Sequence, residues 1–310
     1  MMPSLEVKEL CKRYREFELG PIDVALEPGM VHGLIGANGA GKSTLFRCLM
    51  GMVRPEHGRI SFNGQQVDRD DAHWKQAVGY VGDCTPLFED WSGARNLRTF
   101  ARFYECYDDK LVQGLAAKLN LNLDQLAGTY STGQRNKLAI IHALAHGAQF
   151  LLLDEPTSGL DPVARDTFLD ILFEQMGRRE LTILYATHYV TEIEQMADRL
   201  LFIRDGQLLG HEMKDDLAQH WRKLSFRSHR ELGAMPGQVA MTMSSDGTSR
   251  NPRMDYEVIS RNEQSTRLFL EQAGVQRIES NRLSLDQICI QILKSQTGGK
   301  HDQPARAHAL

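Results

Sequence analysis

The chain is predicted to be an α/β protein: a core with a mainly parallel sheet, an antiparallel side sheet, a helical insert and a small α+β appendage at its C-terminal end. Three observations carry this. Short β-branched and aliphatic runs at 31–35, 77–81, 150–153 and 181–186 recur ahead of helix-like stretches, the alternation expected of a parallel sheet. The runs 5–9, 22–26 and 59–62 alternate more like antiparallel strands. Between Thr85 and Gly147 strand signals vanish, and apolar residues recur at three- and four-residue spacing through Leu97, Phe100, Ala101 and Tyr104, then Leu111, Leu115 and Leu119.

Taken in order, the opening runs supply the side sheet, and the run 31–35 ends in Gly36-Ala37-Asn38-Gly39-Ala40-Gly41-Lys42-Ser43-Thr44, after which a helix-like segment begins. This fits the pattern G-x-x-x-x-G-K-[ST] in a strand-loop-helix setting. Its glycines permit backbone conformations closed to other residues, so that N–H groups of Gly36, Asn38, Gly39, Ala40, Gly41 and Thr44 can turn inward around phosphates at a helix N-terminus. Lys42 would reach the β/γ oxygens and Ser43 would ligate Mg²⁺. The core is therefore predicted to be a P-loop NTPase that binds a nucleoside triphosphate with Mg²⁺.

The buried-strand run 150–153 ends in Asp154 and Glu155, where the carboxyl ends of parallel strands collect ligands. Asp154 is expected to assist Mg²⁺, and Glu155 to polarise the attacking water. Tyr130-Ser131-Thr132-Gly133-Gln134 precedes a helix-like stretch at 135–146, a second helix N-terminus suited to phosphate. Beyond Leu217 the texture changes. Turn-like, polar segments around Met235-Pro236-Gly237 and at 244–252 flank strand-like 239–243 and 256–260 and a helical 263–273. The expected divisions are 1–218 for the nucleotide-binding domain with its insert at about 85–147, 219–297 for an accessory domain and 298–310 for a disordered tail.

Composition bounds the partners. A net charge of −4, with 36 Lys+Arg interspersed among 40 Asp+Glu, offers no basic field for nucleic acid. Five cysteines without C-x-x-C spacing argue against a disulfide framework and fit a reducing compartment. No apolar run approaches the ~20 residues that span a bilayer.

In family order, these motifs resemble the ATP-binding subunit of an ABC transporter over about residues 4 to 217. That family's L-S-G-G-Q signature is matched by Tyr130-Ser131-Thr132-Gly133-Gln134, its D-loop by Ser158-Gly159-Leu160-Asp161, its switch histidine by His188, and its adenine-stacking aromatic by Tyr14. Asp83 stands where the family carries Gln; it could still hold Mg²⁺ or its water through an oxygen, but an ionised carboxylate cannot donate as Gln does. Tyr130 for Leu and Thr132 for Gly spare Ser131 and Gly133, and activity is expected to survive them.

The resemblance implies two copies, or this chain and a paralogous ATPase, paired head to tail. Each ATP would lie between the P-loop of one subunit and Ser131, Gly133 and Gln134 of the other, with His188 on the γ-phosphate and Asp161 linking the sites. It also implies a polytopic membrane permease as partner, a position on the cytoplasmic face of the membrane, and export of the antibiotic-efflux type. Phe88 and Trp91 fall where such a partner would dock. The rival is a soluble ABC ATPase acting on DNA, ribosomes or protein assemblies; the single ATPase unit and the short spacing between Lys42 and Ser131 weigh against it. His142 and His146, four apart on a helix, are expected to be surface histidines rather than metal ligands, Cys84 an inert small residue, and Trp74, Trp91 and Trp221 packing or interface residues rather than a base-stacking platform.

Overall fold

In the computed structural model, residues 4–67, 73–82, 86–245 and 254–295 are described. Contacts divide the chain into two compact units, 1–216 and 217–310. In the first, β1 (Leu5–Arg13), β2 (Glu18–Leu26), β4 (His57–Phe62) and β5 (Gln65–Gln66) form an antiparallel sheet in the order β2-β1-β4-β5. The second sheet of that unit has six strands in the order β10-β9-β3-β8-β7-β6. These are β3 (Val31–Ile35), β6 (Val78–Val81), β7 (Phe150–Asp154), β8 (Thr182–Ala186), β9 (Arg199–Arg204) and β10 (Gln207–Met213). Strands β6, β7, β8, β3 and β9 run parallel, and β10 returns antiparallel to β9.

The parallel strands read as unbroken apolar runs because both faces are covered. Every residue of β3, β7 and β8 is buried. α1 (Lys42–Leu49) lies against β7, and its Leu45, Phe46 and Leu49 join Leu10, Leu19, Ile22 and Leu26 of the side sheet in one core. An edge-to-face contact between Phe62 and Phe150, 5.7 Å apart, ties the two sheets together.

The predicted insert is helical, with α2 (Gly93–Ala101), α3 (Asp109–Lys118) and α4 (Thr132–Ala145), the last packed on β6, α2 and α3. α5 (Pro162–Arg178) and α6 (Val190–Met196) follow β7 and β8. The β9–β10 hairpin was not read from the sequence, although its Asp205-Gly206 turn, at φ 49° and 78° between two apolar runs, carries a recognisable hairpin signal.

α7 (Lys214–His220) straddles the division between the units. The second unit is an antiparallel sheet in the order β12-β13-β11-β14, built from β11 (Arg222–Ser228), β12 (Gln238–Ser245), β13 (Met254–Ser260) and β14 (Ile278–Arg282), with helices α8 (Glu263–Gln272) and α9 (Leu285–Lys294). Leu224, Phe226, Tyr256, Val258 and Leu270 form its core, with the Phe226 and Tyr256 rings stacked at 5.1 Å. Asp83, Cys84 and the tail at 298–310 lie outside the described residues. Among the described residues, Cys11, Cys48 and Cys106 are free thiols.

Candidate nucleotide site

The loop between β3 and α1 is shaped by its glycines. Gly39 and Gly41 have φ of 79° and 109°, and a Cβ on Gly36 would stand 2.4 Å from the Ile203 carbonyl oxygen. Gly41 is the N-cap of α1; no side chain caps this helix, and its first turn holds no acid. Its leading N–H groups and positive dipole end thus suit an anion, which is the fit a triphosphate requires. Lys42 is 7% exposed, and its ammonium folds back over the loop, donating to the carbonyls of Gly36 at 2.7 Å and Ala37 at 3.2 Å.

Two neighbours brace the loop. Gly206 of the β9–β10 turn donates to the Ala40 carbonyl at 3.0 Å, and a Cβ on Gly41 would meet the Phe17 ring at 2.9 Å. Phe17 therefore brings the end of the β1–β2 hairpin against the P-loop, a role missed in the sequence because a lone aromatic at a turn carries no motif. Tyr14 sits on that same turn, its N–H bonded to the Phe17 carbonyl, its ring exposed and capped by Lys12 at 5.4 Å.

At the end of β7, Asp154 is buried at 2%, and Glu155 adopts a left-handed backbone at φ 51°. Its N–H donates to the Ala186 carbonyl of β8 at 2.8 Å. Glu155 Oε2 lies 2.7 Å from His188 Nδ1, and the His188 N–H approaches the same oxygen at 3.4 Å. These groups line one open cleft of about 290 Å³ together with Asn38, Gly82, Thr132, Asn136 and Ser158. The hydroxyl of Ser43, at the start of α1, and the buried Asp154, at the end of the strand α1 covers, offer the hard oxygen donors that Mg²⁺ prefers.

The signature segment is placed differently. Ser131 is the N-cap of α4, its Oγ accepting from the Gln134 N–H at 3.2 Å, while Gln134 Oε1 accepts from the Ser131 N–H at 2.9 Å. This is a complete capping box. Within one chain Ser131 and Gln134 are therefore occupied with their own helix, and the cleft receives Thr132 and Asn136 instead. Gly133 permits a close approach: a Cβ there would stand 2.3 Å from the Gly159 carbonyl oxygen, and Asn136 Nδ2 donates to the Ser158 carbonyl at 2.6 Å. Asp161 caps α5 by accepting from the Ala164 N–H at 2.9 Å, a bond that holds its carboxyl below the usual range. Tyr130 packs inward, its hydroxyl donating to the Asn122 carbonyl at 2.7 Å over Gly93, so this departure from the Leu of the signature is satisfied inside the insert.

His142 and His146 correct the expectation of surface histidines: His146 is buried and His142 half-buried. The Tyr104 ring stacks on His146 at 4.1 Å, His142 lies 5.2 Å from Phe100, and both imidazole nitrogens of His146 face carbonyls, of His142 at 3.0 Å and Val78 at 3.1 Å. Burial, with His146 adding to it, pushes His142 down to about 4. The overlooked signal was Tyr104 and Tyr107, in the connection between α2 and α3, beside the two histidines of α4. Trp221 is buried, Trp74 is half-buried against the core, and Trp91 is half-buried, stacked with Phe88 at 4.2 Å and capped by Arg95. Elsewhere, Glu27, His32 and His211 approach one another, but His32 bonds His211 at 3.2 Å and the Glu27 carbonyl at 3.1 Å, and Arg199 pairs with the Glu27 carboxylate, which accounts for the cluster without a cation.

A family profile described as "ABC transporter" matches residues 19–158, from β2 through the D-loop serine. The Nod factor export ATP-binding protein I of Burkholderia lata is 36% identical over 209 residues, which are 66% of this chain and 68% of that protein. The bacitracin transport ATP-binding protein BcrA of Bacillus licheniformis is 27% identical over 226 residues, 72% and 74% of the two chains. Among solved structures, an ATP-binding subunit of an ABC transporter superposes with a TM-score of 0.64 at 27% identity, covering 69% of this chain and 92% of its own. With the phosphate loop, the acidic strand end, the histidine after β8 and the signature helix all in family order, the chain belongs to the ABC transporter family, as an ATP-binding subunit.

Proposed function

We propose that this chain hydrolyses ATP, ATP + H₂O to ADP + phosphate, to drive export through a separate membrane permease. The observation that carries the proposal is the 2.7 Å contact between Glu155 and His188 in a cleft shared with Asp154 and the P-loop residue Asn38. In this reading residues 1–218 are the ATPase domain and 219–297 an accessory domain. The leading amides of α1 and Lys42 hold the β- and γ-phosphates, and Tyr14 faces adenine. Glu155 orients the attacking water and accepts its proton, while His188, held in register by Glu155, donates to the γ-phosphate oxygens. Ser43, Asp154 and, through an oxygen, Asp83 would hold Mg²⁺, which supplies charge neutralisation on the phosphate oxygens.

The site is completed by a second copy or a paralogous ATPase, whose Ser131, Gly133 and Gln134 close on the γ-phosphate and whose Asp161 links the two sites; binding shuts the pair and loss of phosphate releases it. Support for a permease comes from Phe88, at 50% exposure, and Leu126, at 51%, flanking the half-buried Trp91. Such a patch suits an apolar partner helix. Among the described residues no helix is long and apolar enough to cross a membrane; in this reading the permease is a separate chain, with this one at its cytoplasmic face. Export is favoured by the relatives named for Nod factor export and bacitracin transport.

The decisive variant is Glu155→Gln. It should keep ATP affinity, trap the nucleotide-closed dimer and lose turnover; hydrolysis at the native rate would remove Glu155 from the mechanism. Recovery of the tagged chain from detergent-solubilised membranes should bring a stoichiometric polytopic protein with it. A clean soluble dimer, or ribosomal or DNA-repair partners, would favour a soluble ABC ATPase instead.

A further inference from the structure

Glu192 is 2% exposed on α6, outside every motif, yet its carboxylate gathers three polar partners from three parts of the chain. The Thr157 hydroxyl donates to Oε1 at 2.9 Å, the Tyr185 hydroxyl donates to Oε2 at 2.7 Å, and Arg165 Nε lies 3.2 Å from Oε1 as an ion pair without aligned hydrogen-bond geometry. Thr157 stands two residues beyond Glu155, and Tyr185 three residues before His188. Arg165, on α5, lies 3.8 Å from the Tyr189 ring, which is 4.0 Å from the His188 ring. A contiguous path thus runs from Glu192 through Arg165 and Tyr189 to His188, and from Glu192 through Thr157 to the strand end carrying Glu155.

That strand end needs such a brace. Glu155 holds a left-handed backbone at φ 51°, a conformation unfavourable for a residue with a Cβ that persists only where the surroundings over-determine it. The bond from its N–H to the Ala186 carbonyl is one constraint; the Glu192 network holds Thr157 beyond Glu155, and Tyr185 and, through Arg165, Tyr189 on the two sides of His188. We propose that Glu192 is a positioning residue that fixes the separation of Glu155 and His188, and so sets the rate of the hydrolytic step without touching nucleotide. The proposal rests on the hydrolytic reading above.

The carboxylate accepts one hydroxyl on each oxygen and pairs in charge with Arg165, whereas a neutral amide has one acceptor oxygen and an NH₂ that would confront a donor. Full-length Glu192→Gln should lower kcat at least about tenfold, the effect of 1.4 kcal/mol on the barrier, with KM for ATP changed less than about twofold and the thermal midpoint near that of the native chain. In a His188→Ala background, measured in single turnover, the same substitution should cost less than about twofold, because the group it positions is gone. Native kcat in Glu192→Gln, or an equal tenfold loss in both backgrounds, would overturn the proposal. Should Glu192→Gln fail to fold, Thr157→Val and Tyr185→Phe each remove one contact; each should lower kcat at constant KM, and native kcat in both would be equally fatal. Native hydrolysis by Glu155→Gln would sink the parent reading instead, so the two failures are distinguishable.

Discussion

The two helix N-termini that the nucleotide reading depends on are built in opposite ways. α1 begins at Gly41, at φ 109°, with no side-chain cap and no acid in its first turn; α4 begins at Ser131 with a capping box in which Ser131 and Gln134 satisfy each other's backbone N–H. The first end is shaped for an anion that arrives from outside. The second is stable by its own sequence, and in one chain it packs on the D-loop through Gly133 and Asn136. The difference teaches a division of labour: a single copy can hold the phosphates at α1, while α4 can act on them only as a finished surface presented to another subunit.

The largest effect should come from removing the one cation of the α1 end. Lys42→Ala takes away an ammonium that is held in place by two loop carbonyls. Loss of a preorganised donor of this kind costs about 10²–10³ in kcat. ATPase assays combined with nucleotide binding should show both turnover and affinity falling, with the fold intact by circular dichroism. Unchanged ATP affinity would mean that α1 is not the phosphate site, and the asymmetry between the helices would lose its meaning.

A second effect separates the far ends of the same helices. Near the end of α1, burial pushes the Cys48 thiol up to about 11, so it stays neutral near physiological pH. In the last turn of α4, burial holds His142 down at about 4 against an ordinary 6.5. The unfolded chain takes up a proton near pH 6.5 that the folded chain refuses until about pH 4. The stabilisation is therefore complete above about pH 6.5 and lost as pH falls toward 4, on the order of 3 kcal/mol. Thermal unfolding followed from pH 7.5 to 4.5 should show this decline, and His142→Gln should flatten it; a residual slope is expected from His211, which burial lowers to about 3. A variant with the native slope would remove His142 as its source.

Gly41→Ala tests the α1 end at smaller scale. A Cβ there would meet the Phe17 ring at 2.9 Å and would have to adopt φ 109°, so a loss of about 1–3 kcal/mol in stability is expected, alongside weaker ATP binding. A neutral result would show that the loop can relax and that its tension with Phe17 is not part of the site.

Much of this arrangement was legible from sequence because the signals were local. Strand runs at 31–35 and 150–153, the glycines of the loop and the Asp154-Glu155 pair each announce themselves within a few residues, and the corresponding elements lie where the pattern puts them. The capping box could have been foreseen as well, since Ser131 and Gln134 stand three apart ahead of an apolar run. What escaped depends on contacts distant in sequence. Phe17 reaches Gly41 only through the hairpin, Glu192 meets Thr157 across 35 positions, and His142 is partly covered by Phe100 of α2 and by Tyr104 of the connection after it. A helix spacing of four, which can bring two histidines to one face, says nothing about what packs over them.

The smallest effect is the most discriminating. Ser131→Ala removes the hydroxyl that accepts from the Gln134 N–H, and losing such a cap costs about 1 kcal/mol of stability. If α4 acts only in a partner's site, ATP affinity at protein concentrations too low for pairing should match that of the native chain, because Lys42 and the α1 end are untouched. Turnover at high protein concentration, where copies pair, should fall, and the rise of specific activity with concentration should weaken. A Ser131→Thr variant restores an oxygen able to cap and to face a phosphate, and should recover both stability and turnover. Loss of ATP affinity by the dilute Ser131→Ala chain would contradict the division of labour, since it would make the capped end part of the same copy's own phosphate site. Loss of stability with native concentration dependence would leave the cap as a purely local support of α4.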